Sequence, residues 1–511
     1  DPATGTGTFI VHIPYAGGPP AHLGAMLHDL SFAELWDGAL RARAALLEGR
    51  GSLDGDVVAL FASSGARWLE AFLGIILAGG VVLPLSPQYP ALELAWFGQD
   101  AHAQIVIVSD DLRERAALLC ADRRVVSIHS LRQTIVEKDE ISPRQADDVA
   151  LLLYTSGTTG KPKGAMITHA NVAIQAELLG EAWLWKTTDL LLHALPLHHL
   201  HGLGISLMTS VLSGGATRML QKFEARRVWE EFASDKPPTT FMAVPTMYQK
   251  LFEAFDQADE STQKRWAQGA KRLRLATSGS AALPVTLAER WRSITGWVPL
   301  ERFGMTEIGV GAPNPIDPGG RRPGSVGKPL RTVESRIVDE AGKDMETGPG
   351  ELWIRGPSVF KGYLGREQAT REAFAEGGWF RTGDVAERSA DGYVRLLGRT
   401  SVDILKSGGY KLSALEIEEA LRENAAVAEV AVVGLPDETW GDLVVAVVVP
   451  APGRADECAS DVLRAWARER MAPYKVPREV HVVSSLPRNA LGKVVKPEVV
   501  KGLMFNQRAP A

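Results

Sequence analysis

Between Ser31 and about Arg302 the chain alternates short apolar runs with segments of helical period, which restricts the fold more than any other feature. Ser31 to Leu47 carries Phe32, Leu35, Leu40, Leu46 and Leu47 at roughly helical spacing and stops at Gly49 and Gly51. Asp56 to Phe61 reads as a strand, Trp68 to Ala78 as an apolar helix closed by Gly79-Gly80, and Val81 to Leu85 as another strand; Ile105 to Ser109 and Val125 to Ile128 continue the series. A second run places strands at Leu190 to Ala194, Thr239 to Ala243 and Leu273 to Thr277, with helices starting at Pro245 and Pro284, prolines suited to a first helical turn. Strands separated by helices need crossovers and run parallel, with helices on both faces. The expected class is α/β.

After Pro323 the texture changes. Glu334 to Val338, Gly350 to Arg355 and a hairpin with Asp391-Gly392 at its tip read as a small antiparallel sheet or β-barrel. Beyond Arg399 the pattern is mixed again: a helix from about Ser413 to Glu423, strands at Ala428 to Val433 and Val444 to Val449, and a helix from Asp461 to Arg470. A chain of 511 residues is too long for one core. Two domains are expected: 1–399, with two parallel-type α/β subdomains and the small β-barrel, and 400–511, a small α+β unit.

The charge balance excludes some partners. With 56 basic and 61 acidic residues the net charge is −5, so there is no basic footprint for nucleic acid, and any anionic ligand must be held locally. No apolar run has membrane-spanning length, which argues against stable membrane insertion. The two cysteines, Cys120 and Cys458, belong to no CxxC pair, so a reducing compartment is expected: the cytoplasm, or an organellar matrix if a targeting segment has been removed.

Such a local anion site is offered after the apolar run Leu151 to Tyr154. Thr155 to Gly164 contains four hydroxyl side chains, three glycines and two lysines, a mixture of O–H donors, bare N–H groups and positive charge. It is not the Walker pattern, because Gly157, Gly160 and Gly164 are differently spaced and no Lys-Ser/Thr pair closes the loop. On composition alone a phosphate cradle and a flexible surface turn are equally good readings.

Six further landmarks stand in a fixed order with that loop: Pro196 to Gly202 (PLHHLHG), Arg302 to Glu307 (RFGMTE), Gly350 to Gly356, Trp379 to Asp384 (WFRTGD), Gly398-Arg399, and Pro487 to Lys493 (PRNALGK). Together they resemble the adenylate-forming superfamily, which contains acyl-CoA synthetases, peptide-synthetase adenylation domains and firefly luciferase, over nearly the whole chain. The resemblance implies a two-step reaction: a carboxylate attacks the α-phosphate of ATP, and a thiol then displaces AMP. It implies ATP, Mg²⁺ and CoA as the small-molecule partners. It assigns Thr155, Ser156, Gly157, Thr158, Thr159 and Lys163 to the β- and γ-phosphates, Thr306 to the α-phosphate and Glu307 to Mg²⁺. Gly279, Ser280, Gly304 and Met305 would also line the ATP/AMP site, Phe303 would give adenine an aromatic face where the family usually has Tyr, Asp384 would hold the ribose hydroxyls and Arg399 would reach the ribose or phosphate. Lys493 would neutralise charge as acid and α-phosphate meet. In the family the C-terminal domain then rotates, bringing Lys406, Ser407, Gly408, Gly409 and Lys411 to the CoA thiol; the pivot would be Ser401, or Asp403 if the link is read as one residue longer.

The acid is addressed by one departure. Arg302 stands where many relatives have a small residue, and a guanidinium there is an expensive neighbour for a fatty chain but well matched to a second carboxylate. This resembles the malonate- and methylmalonate-activating branch of the superfamily, with His199, His201, Ser278 and Arg302 around the acid. A bland alternative pairs Arg302 with Glu301 or another acid. Functional alternatives are a ligase for short or medium monocarboxylic acids, a stand-alone peptide-synthetase-type adenylation domain, or a non-catalytic scaffold. Monomer and homodimer are both open.

Overall fold

The structure, a computed structural model, describes residues 8–12, 27–136, 144–155, 162–407, 410–437, 439–489 and 493–506. Four sheets carry it. The first has seven strands in the order Gly362–Tyr363, Lys163–Thr168, Val149–Thr155, Val81–Pro84, Val57–Phe61, Ile105–Val108 and Arg124–Ser127. Its central strands pair in parallel, and Val57–Phe61 is buried along its whole length, as expected for a doubly covered sheet. The helix Phe32–Leu47 forms where its spacing predicts: the Ser31 hydroxyl accepts from the Glu34 N–H, and Glu34 reaches back to the Ser31 N–H. The parallel rule ends at Val149–Thr155, which meets Lys163–Thr168 antiparallel because only a short loop joins them.

The second sheet has eight strands in the order Gly309–Pro313, Leu300–Met305, Leu275–Ser278, Thr240–Ala243, Leu190–His193, Ala216–Met219, Thr8–His12 and Leu27–Ser31. Its five central pairings, from Leu300–Met305 through to Thr8–His12, are parallel. In such sheets the carboxyl ends of the strands open the crevice where ligands bind. Pro245 starts its helix as predicted, whereas Pro284 sits one residue outside, at the N-cap of Val285–Thr295.

The third sheet is antiparallel: Trp379–Arg388 pairs with Gly350–Arg355 on one side and with Phe374–Ala375 and Val394–Arg399 on the other, and Glu334–Val338 completes it. The fourth joins Tyr410–Ser413, Ile404–Ser407, Gly441–Pro450, Val427–Asp437 and Glu479–Val482. Its strand Gly441–Pro450 feeds two cores by simple alternation. Val444, Ala446 and Val448 pack with Ile417, Leu421 and Leu463 on one face, and Val445 and Val447 with Leu486, Val499 and Leu503 on the other. Both cores draw only on residues after Arg399. Among the described residues, no helix is long and apolar enough to cross a membrane.

Candidate active site

The expected acid side lies where the end of Leu275–Ser278 pairs with the start of Leu300–Met305, with Ser278 opposite Glu301. Glu301 and Arg302 are both buried, at 4% and 3% exposure, yet as strand neighbours they point to opposite faces. Glu301 accepts from the Leu283 N–H at 3.1 Å, and burial pushes its carboxyl up to about 8. The alternative ion pair between Glu301 and Arg302 is therefore not formed. The Arg302 Nε and Nη2 atoms have no hydrogen-bond partner, and although burial lowers the guanidinium to about 9 it stays charged at neutral pH. Gly279 makes room for it: a Cβ there would lie 2.4 Å from both Nε and Cζ of Arg302. The Ser278 hydroxyl beside it is buried and also unpartnered.

His199 and His201 close this side. His201 begins the π-helix His201–Met208, an uncommon winding that tends to mark functional sites. The turn before it depends on Gly202, whose Cβ would fall 2.1 Å from the Pro196 carbonyl oxygen. His201 Nδ1 lies 3.0 Å from the Ser280 hydroxyl, while His201 Nε2 and His199 Nε2 are buried without partners. Burial holds both imidazoles well below their ordinary range and therefore neutral, and the charge of Arg302 adds to this at His201. In the tautomer in which the Ser280 hydroxyl donates to Nδ1, the proton sits on His201 Nε2, which is then a donor.

On the expected nucleotide side, the buried acids are already paired. The register of Trp379–Arg388 against Val394–Arg399 sets Asp384 opposite Arg399, and their ion pair measures 3.2 Å. Burial pushes Asp384 up to about 6, against the opposing pull of Arg399. Glu307, also buried, accepts from the Tyr363 O–H at 2.9 Å, and burial raises its carboxyl. Lys163 Nζ stands 5.1 Å from the centre of the Tyr363 ring, and Lys163 pairs across the hairpin with Thr155. Ser156, Gly157, Thr158 and Thr159 lie outside the described residues. Phe303 is buried, and a bulge follows it at Gly304, whose Cβ would meet the Gly309 carbonyl oxygen at 2.2 Å. Met305 and Thr306 lie partly exposed between Phe303 and Glu307.

Lys493 joins the two sides. Its N–H donates to Asn489 Oδ1 at 3.0 Å, and the Asn489 N–H donates back to the Lys493 carbonyl at 2.9 Å. Burial lowers the ammonium to about 8, Arg399 and Arg302 lower it further and Asp384 opposes them, so Lys493 lies among all three and stays cationic at neutral pH. The expected thiol-side residues are elsewhere: Lys406 and Ser407 lie on Ile404–Ser407, where the Lys406 N–H donates to Asp442 Oδ2 at 2.7 Å, and Lys411 pairs opposite Lys406. Gly408 and Gly409 are outside the described residues. Ser401 is exposed, whereas Asp403 is buried, accepts from the Arg399 N–H at 3.0 Å and holds Lys496 Nζ at 2.5 Å. Sequence reasoning missed Tyr363 and Lys496; nothing in their local sequence marks them.

Among the described residues no group of three His, Cys, Asp or Glu could hold a metal ion. A single buried carboxylate such as Glu307 has the chemistry for a hard cation that takes its other oxygens from phosphate and water, which is the character of Mg²⁺.

Residues 20–364 match the family model described as AMP-binding enzyme, and residues 416–493 match the one described as AMP-binding enzyme C-terminal domain. The chain belongs to the AMP-binding enzyme family. It is 41% identical to a mitochondrial malonate–CoA ligase of Mus musculus, over 93% of this chain and 87% of that one. Among solved structures, ATP-bound MatB from Rhodopseudomonas palustris is 34% identical with a TM-score of 0.85, covering 94% of this chain and 95% of that one. A malonyl-CoA ligase ternary product complex with methylmalonyl-CoA and AMP bound is 38% identical, over 90% of this chain and 95% of that one, but its TM-score is 0.65.

Proposed function

We propose that the chain is an ATP-dependent acid–CoA ligase that activates malonate and methylmalonate. The observation that carries the choice of acid is the buried guanidinium of Arg302, charged at neutral pH and without a protein partner on Nε and Nη2. A buried charge of this kind is costly unless a ligand neutralises it, and a planar guanidinium is shaped for a carboxylate. Arg302, with His201 Nε2 and the Ser278 hydroxyl, binds the distal carboxylate and leaves the other free to react. The added methyl of methylmalonate is a small change that such a polar anchor does not reject.

In the first step the free carboxylate oxygen forms a bond to the α-phosphorus and the bond to pyrophosphate breaks. Lys493 holds positive charge where acid and phosphate meet, and Thr306 donates to the α-phosphate. Thr155 and Lys163, with the hydroxyls of the intervening loop, grip the leaving group. Asp384 and Arg399 position the ribose, and Phe303 gives adenine an aromatic face. Mg²⁺, when bound, neutralises phosphate charge; Glu307 is the residue that would hold it, its carboxylate oriented by Tyr363. In the second step the CoA thiol loses its proton, its sulfur bonds to the acyl carbon and AMP leaves. For this the part after Arg399 turns about the link at 400–403 and brings Lys406, Ser407 and Lys411 forward. Since all these reactants are water-soluble, the reaction belongs to an aqueous compartment, the cytoplasm or an organellar matrix.

The test is the purified chain with ATP, Mg²⁺ and CoA and, in parallel, malonate, methylmalonate, acetate or octanoate, with pyrophosphate release as the readout. Malonate and methylmalonate are expected to lead; a higher kcat/KM for acetate or octanoate would overturn the reading.

A further inference from the structure

The helix Val285–Thr295 begins without a cap of its own. Pro284 occupies the N-cap and offers no accepting side chain, so the first N–H groups of the helix must be met from elsewhere. They are met by Glu419, on the C-terminal helix Ala414–Arg422: the Thr286 N–H donates to Glu419 Oε1 at 3.3 Å, and the Val285 N–H bonds to the same carboxyl. A carboxylate in this position satisfies orphan donors and faces the positive end of the helix dipole. Arg422 Nη1 stands 3.6 Å from the other oxygen, Oε2, and steadies the carboxylate.

Each end of this contact leads to the active site. On one side, Leu283, two residues before Val285, donates its N–H to Glu301, the strand neighbour of Arg302. On the other, Glu418, adjacent to Glu419, holds Lys496 Nζ at 2.7 Å, and Lys496 also pairs with Asp403 at the link. Lys496 lies one turn of chain beyond Lys493. Polar contacts joined by short stretches of chain therefore link Glu301, beside Arg302, through the capped helix to Lys496, three residues beyond Lys493.

We propose that Glu419 is a positioning residue: by capping Val285–Thr295 from the other body it seats Lys493 over the acid for the first step, and the cap must open before the thiol step. The proposal rests on the two-step ligase reading. Its test compares wild type, Glu419→Ala, Thr286→Pro and the double variant. Proline is tolerated in a first helical turn and removes the N–H donor from the opposite side of the contact. Pyrophosphate release without CoA is expected to slow about 3- to 10-fold in each single variant, the loss typical of a helix cap. Thiolation of a supplied acyl-adenylate is expected to be unchanged, as is the KM for malonate. The double variant is expected to be no slower than Glu419→Ala, because the Thr286 backbone N–H and the Glu419 carboxyl act through one contact. Equal losses in both half-reactions, or additive losses in the double variant, would overturn the proposal. Pyrophosphate release by the wild type tests the ligase reading separately. The thermal midpoints of the four proteins report the Glu419–Thr286 coupling without any substrate: a non-additive double variant supports the cap, and an additive one sinks it.

Discussion

The two sides of the active site handle charge in opposite ways. On the nucleotide side the polar groups are satisfied within the protein: Asp384 with Arg399, Glu307 with Tyr363. On the acid side Arg302, Ser278, His199 and His201 each keep a buried polar atom without a partner. Paired groups are held in place before the ligand arrives, which suits a nucleotide common to the whole family. Unpaired buried groups cost stability until the right ligand completes them, so they discriminate strongly against a ligand that lacks the matching charge. On the proposed reading, the site keeps its stable parts where the chemistry is generic and its unsatisfied parts where the acid is chosen.

The largest effect is expected at the junction of the two sides. Lys493→Ala should slow pyrophosphate release about 100- to 1000-fold while sparing thiolation of a supplied acyl-adenylate; losing both half-reactions alike would remove Lys493 from the junction. Next, Arg302→Met should cut kcat/KM for malonate about 30- to 300-fold, as for other charge partners truncated in a desolvated site. The same substitution should raise the thermal midpoint of the ligand-free protein, since it removes a buried charge with unmet donors. A fall in both activity and stability would break the contrast, because Arg302 would then be paired like the residues opposite. Third is pH. Asp384, raised to about 6, must be ionised to accept ribose hydroxyls, so kcat/KM for ATP falls as pH drops through that value. Lys493, lowered to about 8, must be protonated to act, so activity falls again as pH rises through it. About one unit beyond either limit the loss is about tenfold; a flat profile across both limits would disprove these roles. The smallest effect is expected for Tyr363→Phe, about threefold in the Mg²⁺ dependence of the first step, from the loss of one hydrogen bond to Glu307.

How much of this was legible depended on the distance over which each feature is specified. The alternation of apolar runs and helical periods located most strands of the two large sheets, since burial on both faces leaves a continuous apolar signature. The antiparallel return at Lys163–Thr168 was not anticipated: its first residues, Lys163 and Gly164, read as the end of the glycine-rich loop. The motif residues could be assigned by resemblance, yet the state of Arg302 could not. Whether it faced Glu301 or the pocket depends on strand alternation and on Gly279 leaving room for it, and neither appears until the strands are laid side by side. Contacts between distant segments left no trace at all: Tyr363 meets Glu307 across 56 residues, and Glu419 meets Thr286 across 133. Here tertiary packing, rather than any local pattern, chose the partners.

Glu301 and Arg302 give that last point a sharper form. One is a neutral acid facing away from the pocket and the other a cation facing into it, separated by a single peptide bond in Leu300–Met305. Selectivity is thus stored in the parity of a strand. A slip of one position in register would present a carboxyl to the substrate instead of a guanidinium, and the preferred ligand would change sign from an anion to an amine. A family that lengthens or shortens the turn before this strand by one residue could reverse its substrate charge without altering any side chain.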